Sequence, residues 1–217
     1  MGTRVVAIAV GRRWESRTLT TPKPVLSWRA ETTTPNWMQS GYEVRVERAG
    51  GVLESTGPVF SDASHEIAWP FEPIASREPI AVSVRLVHAD GSPETDWSAP
   101  VSYRAALLAA SDWTASMIAP PWSAETDIAR GLPLLYADFP IECPVHCAYV
   151  SATAQGLFEL ELNGVRVGDE VLAPGWTKYD ERLLFSTHDV TELLAQGENR
   201  IGAWLGEGWY RGRVGFE

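Results

Sequence analysis

The chain has 217 residues, 45% hydrophobic and 21% charged, which leaves room for two small domains or one large one and supplies enough apolar mass to bury a core. Its formal net charge of −10 excludes a nucleic-acid backbone and an anionic membrane surface as natural partners, because both reward a basic face. Fifteen prolines and eighteen glycines, scattered along the chain, favour short strands over long helices and an all-β class.

The first apolar run, Val5 to Val10, is six residues long and is followed by Arg12 and Arg13. It is too short for a membrane span, and no small-residue cleavage site follows it, so it reads as a first strand within an N-terminal extension of residues 1–21. A cytoplasmic location is the corresponding expectation.

From Pro22 to Ala106 the pattern is that of a sandwich of about 85 residues. Val25 to Trp28 is a short strand, Tyr42 to Arg48 alternates up to an Ala49-Gly50-Gly51 turn, and Val82 to His88 alternates up to Asp90-Gly91-Ser92-Pro93. Asp96-Trp97-Ser98-Ala99-Pro100 closes the unit, with Trp28 its expected core tryptophan. The small apolar stretch Ala105 to Ser111 leads into a linker placed at 107–122, stiffened at its end by Pro120-Pro121-Trp122. Pro133 to Phe139 then opens a second unit, placed at 123–217.

Cys143 and Cys147 are the only cysteines, in Cys143-Pro144-Val145-His146-Cys147. In an extended chain their Cα atoms lie about 13 Å apart, beyond disulfide reach. Structural zinc needs four ligands, and no second pair accompanies them. Two reduced, partly buried thiols are therefore expected.

Leu157 to Glu217 carries the densest signals. Phe158, Leu160 and Leu162 alternate with Glu159, Glu161 and Asn163, the period of a half-buried strand. Asn163-Gly164 supplies the two positive φ values of a tight type I′ turn, and Val165 and Val167 resume the alternation, which makes a hairpin. Thr187 to Leu194 reads as a short helical turn capped by Thr187 or Asp189 and closed by Gly197. Ile201, Ala203 and Leu205 mark another strand.

This region also holds ordered sequence blocks: Leu162-Asn163-Gly164 with Val167-Gly168-Asp169; Leu172 to Thr177 with Tyr179; Asp189-Val190-Thr191; Gly197-Glu198-Asn199; and Gly206 to Gly212. Their order and spacing closely resemble the N-terminal β-sandwich domain that bacterial α-L-rhamnosidases carry ahead of their catalytic barrel. The first unit resembles a fibronectin type III domain, a module with which rhamnosidases of this family often begin. The resemblance implies two sandwiches, the first fibronectin III- or Ig-like and the second a jelly roll of the carbohydrate-binding-module kind. In the family the second domain runs on past the Gly206 to Gly212 block, so the chain is expected to be a fragment ending before the barrel, with an exposed sheet edge.

The same resemblance implies an accessory part of an inverting glycoside hydrolase that releases terminal L-rhamnose. The expected partners are the downstream (α/α)₆ barrel of the full-length protein, rhamnose-containing glycans and a second copy of the chain through its C-terminal half. A free-standing carbohydrate-binding module and a purely structural interaction module are the alternatives. No residue is assigned a catalytic or metal-binding role and no cofactor is implied. Asp169, Glu170, Asp180, Glu181, Glu192 and Glu207 fall in turns or on polar faces, and nothing pairs two of them across a cleft as glycoside hydrolysis requires. Two acidic dipeptides, Asp169-Glu170 and Asp180-Glu181, fall short of a calcium shell. No Gly-x-Ser-x-Gly, Gly-x-x-x-x-Gly-Lys or His-Glu-x-x-His motif occurs, and His65, His88, His146 and His188 stand singly.

Sugar rings present C–H faces that stack on indole and phenol. Candidate contacts are therefore Trp176, Tyr179, Trp209 and Tyr210, with Asn163 and Arg211 as hydrogen-bonding neighbours. Core packing and docking of a barrel are the competing roles for these aromatics. By strand alternation Trp204 faces outward, whereas Trp209 between glycines is expected to be packed.

Overall fold

The computed structural model describes residues 2–120 and 132–211, leaving the Arg211 side chain aside. It divides into two compact units, Met1–Thr114 and Ala115–Glu217. Trp122, Pro121 and the stretch 212–217 lie outside the described residues.

The first unit contains β1 (Arg4–Val10), β2 (Thr18–Leu19), β3 (Leu26–Glu31), β4 (Gly41–Arg48), β5 (Leu53–Ser55), β6 (Pro79–Val87) and β7 (Val101–Ala105). β1 and β3 form one antiparallel sheet, and the other runs β2-β7-β6-β4-β5. Alternation along β4 and β6 turns Val44, Val46, Val82, Val84 and Leu86 onto a shared core with Leu26 and Trp28. Trp28 is 3% exposed, with its ring centroid 4.6 Å from that of Tyr42. Its indole N–H donates to Gln39 Oε1 at 2.9 Å. The turn after β4 requires Gly50 and Gly51 at φ 80° and 77°, which glycine adopts without a Cβ clash.

The residues set apart by sequence as an extension are hydrogen-bonded into this unit. β1 pairs with β3 from Arg4↔Glu31 to Val10↔Leu26, and β2 runs parallel to β7. The Tyr103 hydroxyl donates to Ile8 O at 2.9 Å. The unit also continues past Pro100 into β7. Trp97 lies under two guanidinium groups, Arg45 at 4.4 Å and Arg85 at 4.7 Å, and Arg85 pairs with Glu43 at 2.5 Å.

The second unit contains β8 (Leu134–Ile141), β9 (Tyr149–Ala152), β10 (Leu157–Leu162), β11 (Val165–Val167), β12 (Ser186–Asp189), β13 (Gly197–Gly206) and α1 (Gly208–Arg211). Its sheets are β11-β10-β13-β8 and β12-β9. The register Phe158↔Leu205, Leu160↔Ala203, Leu162↔Ile201 stacks the apolar side chains of two strands on one face. Val150 and Ala152 from the second sheet, with Val190 just past its end, close the core with them. Asn163 and Gly164 sit at φ 52° and 79°, as the hairpin turn demands.

Three local expectations are corrected. Thr187 and His188 belong to β12, because Thr187 pairs with Ser151 of β9 and the two hydroxyls lie 2.8 Å apart. Only Thr191–Leu193 forms a 3₁₀ turn; Asp189 Oδ1 accepts the Thr191 N–H at 3.0 Å, and Gly197, at φ 98°, opens β13 instead of closing a helix. Cys143 and Cys147 are both exposed and free, in a connector that bends at Cys143 and His146 and so is not the extended strand approach assumed for them. Among the described residues no helix is long and apolar enough to cross a membrane.

Candidate functional site

The residues picked from sequence do not form one site. β10 carries Leu157 opposite Gly206 at one end and Leu162 opposite Ile201 at the other. Asn163 follows Leu162, so about 20 Å of strand separates it from the aromatic segment after Gly206. Asn163 is also saturated by the protein. Its Nδ2 donates to Leu193 O and Asn199 Oδ1, both at 2.8 Å, and its Oδ1 accepts the Arg200 N–H at 2.8 Å. Those bonds lock the hairpin turn to β13 and leave the amide committed within the fold.

The Asn163 end holds a depression of about 420 Å³ lined by Asp138, Asn163, Glu198, Asn199 and Arg200. Arg200 grips Asp138 through two bonds of 2.6 and 2.8 Å and lies 5.0 Å from the Tyr136 ring centroid. The guanidinium hydrogen bond holds the Asp138 carboxyl below the usual carboxylate range. Four of the five lining side chains are thus bonded to one another or to neighbouring backbone, which leaves little for an external ligand.

At the other end two of the aromatics meet. Tyr179 and Tyr210 meet edge to face, with centroids 5.5 Å apart and planes at 90°. Trp176 is 64% exposed on the loop that follows the cis Ala173-Pro174 bond, and Trp209 is 49% exposed. Trp209 is therefore not packed as expected; Gly208, at φ 50°, starts α1 in close contact with Leu157 and Gly156 and leaves the indole that follows facing outward. Tyr179 is half-buried, and its hydroxyl is enclosed without a hydrogen-bond partner among the described residues. The Arg211 side chain lies outside the described part.

A second aromatic surface surrounds Trp204, which the alternation had placed outward; its partners on β8 escaped the sequence reading. Leu134, Tyr136 and Trp204 lie on the outward face of β8 and β13, where Trp204↔Leu134 and Gly202↔Tyr136 are directly opposed, and Tyr136 is 67% exposed. The available signal was the alternation Leu134, Tyr136, Asp138 against Leu135, Ala137, Phe139.

All six acids considered from sequence are exposed, and Glu170 pairs with His188 Nε2 at 3.3 Å. Among the described residues no three His, Cys, Asp or Glu side chains gather as a metal-holding group.

Two β-sandwich units, the second with exposed aromatics at one end of its larger sheet, define an all-β tandem-sandwich protein. Residues 5–109 match the Rha78A-like, N-terminal immunoglobulin domain, and residues 144–217 match the α-L-rhamnosidase N-terminal domain. The chain thus carries an α-L-rhamnosidase N-terminal domain preceded by an immunoglobulin domain of the Rha78A-like N-terminal type. The first match is to an immunoglobulin rather than a fibronectin type III domain, and both types are sandwiches of the same layered architecture.

An α-L-rhamnosidase of Formosa agariphila is 30% identical over 206 residues, covering 89% of this chain and 22% of that protein. One from Streptomyces avermitilis is 40% identical over 129 residues, covering 59% of this chain and 12% of that protein. The crystal structure of native α-L-rhamnosidase from Aspergillus terreus superposes over 100% of this chain and 25% of its own, with a TM-score of 0.85 and 33% identity. The chain thus spans about a quarter or less of the proteins it resembles.

Proposed function

We propose that the chain is an accessory N-terminal region of an α-L-rhamnosidase, an inverting glycoside hydrolase that releases terminal L-rhamnose, and that it supports a catalytic (α/α)₆ barrel elsewhere in the full-length protein. The observation that carries this reading is the match of residues 144–217 to the α-L-rhamnosidase N-terminal domain, in relatives several times longer. The exposure of all six acids supports it, because hydrolysis needs two carboxyl groups held about 5 to 10 Å apart across the bond. The two cysteines fit a cytoplasmic setting. The purified chain is expected to leave an aryl α-L-rhamnoside intact; hydrolysis above a contaminant control would overturn the reading.

A second reading, carbohydrate binding by the chain itself, is favoured by the exposure of Trp176, Trp209 and Tyr210 beside Tyr179. It predicts heat on titration with millimolar L-rhamnose, lost in Trp176→Ala while the fold is kept, since a side chain this exposed contributes within about 0.5 kcal/mol to stability. No heat from the intact chain would eliminate binding at useful affinity.

A further inference from the structure

We propose that Cys143 and Cys147 are a redox pair that closes to an intramolecular disulfide across the connector between β8 and β9. That connector passes from the four-stranded sheet to the two-stranded one, and the inner faces of both sheets share a core. Both of its feet are tied down. Gln196 Nε2 donates to Glu142 O at 3.1 Å, the Ala148 N–H donates to Thr191 Oγ1 at 2.9 Å, and Ala148 O accepts the Val190 N–H at 2.9 Å. Packed sheets stand about 10 Å apart. The six Cα steps from Glu142 to Ala148 would cover about 20 Å if extended. The connector is not extended, and its bends fall at Cys143 and His146.

Cys143 is the first residue inside one foot and Cys147 the last inside the other, so the bends at Cys143 and His146 shorten the path between them. Their separation falls below the extended spacing of about 13 Å, toward the window of about 4.4–6.8 Å between Cα atoms that a disulfide occupies. Both residues are exposed, so a soluble oxidant reaches either sulfur. With oxidised glutathione, one cysteine thiolate attacks a glutathione sulfur, forming a mixed disulfide and releasing one glutathione thiolate. The second cysteine thiolate then attacks the protein sulfur of that mixed disulfide, the Cys143–Cys147 bond forms, and the second glutathione leaves. Two cysteine thiols are oxidised, one glutathione disulfide is reduced to two thiols, and the two protons pass to the glutathione sulfurs. In a reducing compartment such a bond is transient, and it would pin the edge of the sandwich only when the glutathione pool turns oxidising.

The test is intact-protein mass spectrometry of the chain equilibrated with oxidised glutathione and quenched in acid, beside Cys143→Ser and Cys147→Ser. The wild-type chain is expected to lose two hydrogens and retain no glutathione, and each variant to retain one glutathione. A wild-type chain carrying glutathione on both cysteines, linked into disulfide dimers, or unchanged in mass while the variants are modified, would overturn the proposal.

Discussion

Asn199 is a polar side chain on which the second unit should depend heavily. It is 2% exposed on β13, and all of its amide capacity is used inside the protein. Nδ2 donates to Ala195 O at 2.7 Å and Gly197 O at 2.9 Å, while Oδ1 accepts from Asn163 Nδ2 at 2.8 Å and the Ala195 N–H at 2.9 Å. Replacement by alanine removes four hydrogen bonds, each worth about 0.5–1.5 kcal/mol net. Ala195, Gly197 and Asn163 are themselves exposed, so water takes over part of the lost bonding. The expected loss for Asn199→Ala is therefore about 2–4 kcal/mol, a large share of the ~5–15 kcal/mol that holds a typical domain.

Hydrogen exchange read by mass spectrometry on the full chain resolves the two units separately. The most protected amides of β10 and β13 should exchange roughly 30- to 900-fold faster, while β4 and β6 of the first unit remain as in wild type. Asn199→Asp should cost at least as much near neutral pH, because a carboxylate oxygen would face the Ala195 and Gly197 carbonyls. That cost should ease as pH falls toward the unfolded-state carboxyl pKa of about 3.9, because burial among carbonyls favours the protonated form, which restores one donor. A change in protection worth less than about 0.5 kcal/mol would refute the reasoning and mean that solvent replaces the amide bonds in full.

Other perturbations separate the two units in the same way. Trp28→Phe deletes the donor to buried Gln39 Oε1 and should destabilise the first unit by about 1–3 kcal/mol in denaturant titration. Asp112 accepts hydrogen bonds from Ser76 and the Ala109 N–H, which hold its carboxyl below the usual range. A group whose folded pKa is depressed contributes stability above its unfolded pKa of about 3.9 and loses it as pH falls through the folded value, so Asp112→Asn should flatten the acid limb of first-unit stability. Among the described residues β8 forms an edge of its sheet beside Leu134, Tyr136 and Trp204. The chain is therefore expected to dimerise through its C-terminal half, and Tyr136→Lys to weaken that association; light scattering from a monomer at high concentration would refute it.

What the sequence revealed divides by range of interaction. The Asn163-Gly164 hairpin and the inward set of β10 and β13 were readable because turn chemistry and strand period are local. The capture of β1 by β3 and of β2 by β7 was not, since nothing within residues 4–19 specifies partners that lie farther along the chain. Thr187 illustrates the same limit: its hydroxyl and the Asp189 carboxylate fit a helix cap, yet pairing with Ser151 of β9 decides in favour of a strand. The cysteine connector was misread because its geometry follows from the sheets it joins rather than from its own residues.

Asn163 shows how far the candidate site was legible. Its residue type satisfies two requirements, a left-handed turn position and a hydrogen-bonding side chain, and only the first can be assigned from sequence. The fold spends the second inside the protein, on Leu193 O, Asn199 Oδ1 and the Arg200 N–H. The depression beside it is likewise occupied by its own ion pair and amide bonds, despite being the more concave feature. Stacking on a sugar needs an aromatic face open to solvent, and at the opposite end of β10 the exposed rings of Trp176, Trp209 and Tyr210 meet that requirement. Any glycan contact made by the second unit at the predicted residues therefore belongs to the loop after Pro174 and to α1, and substitution of Asn163 should disturb folding of the hairpin before it disturbs binding.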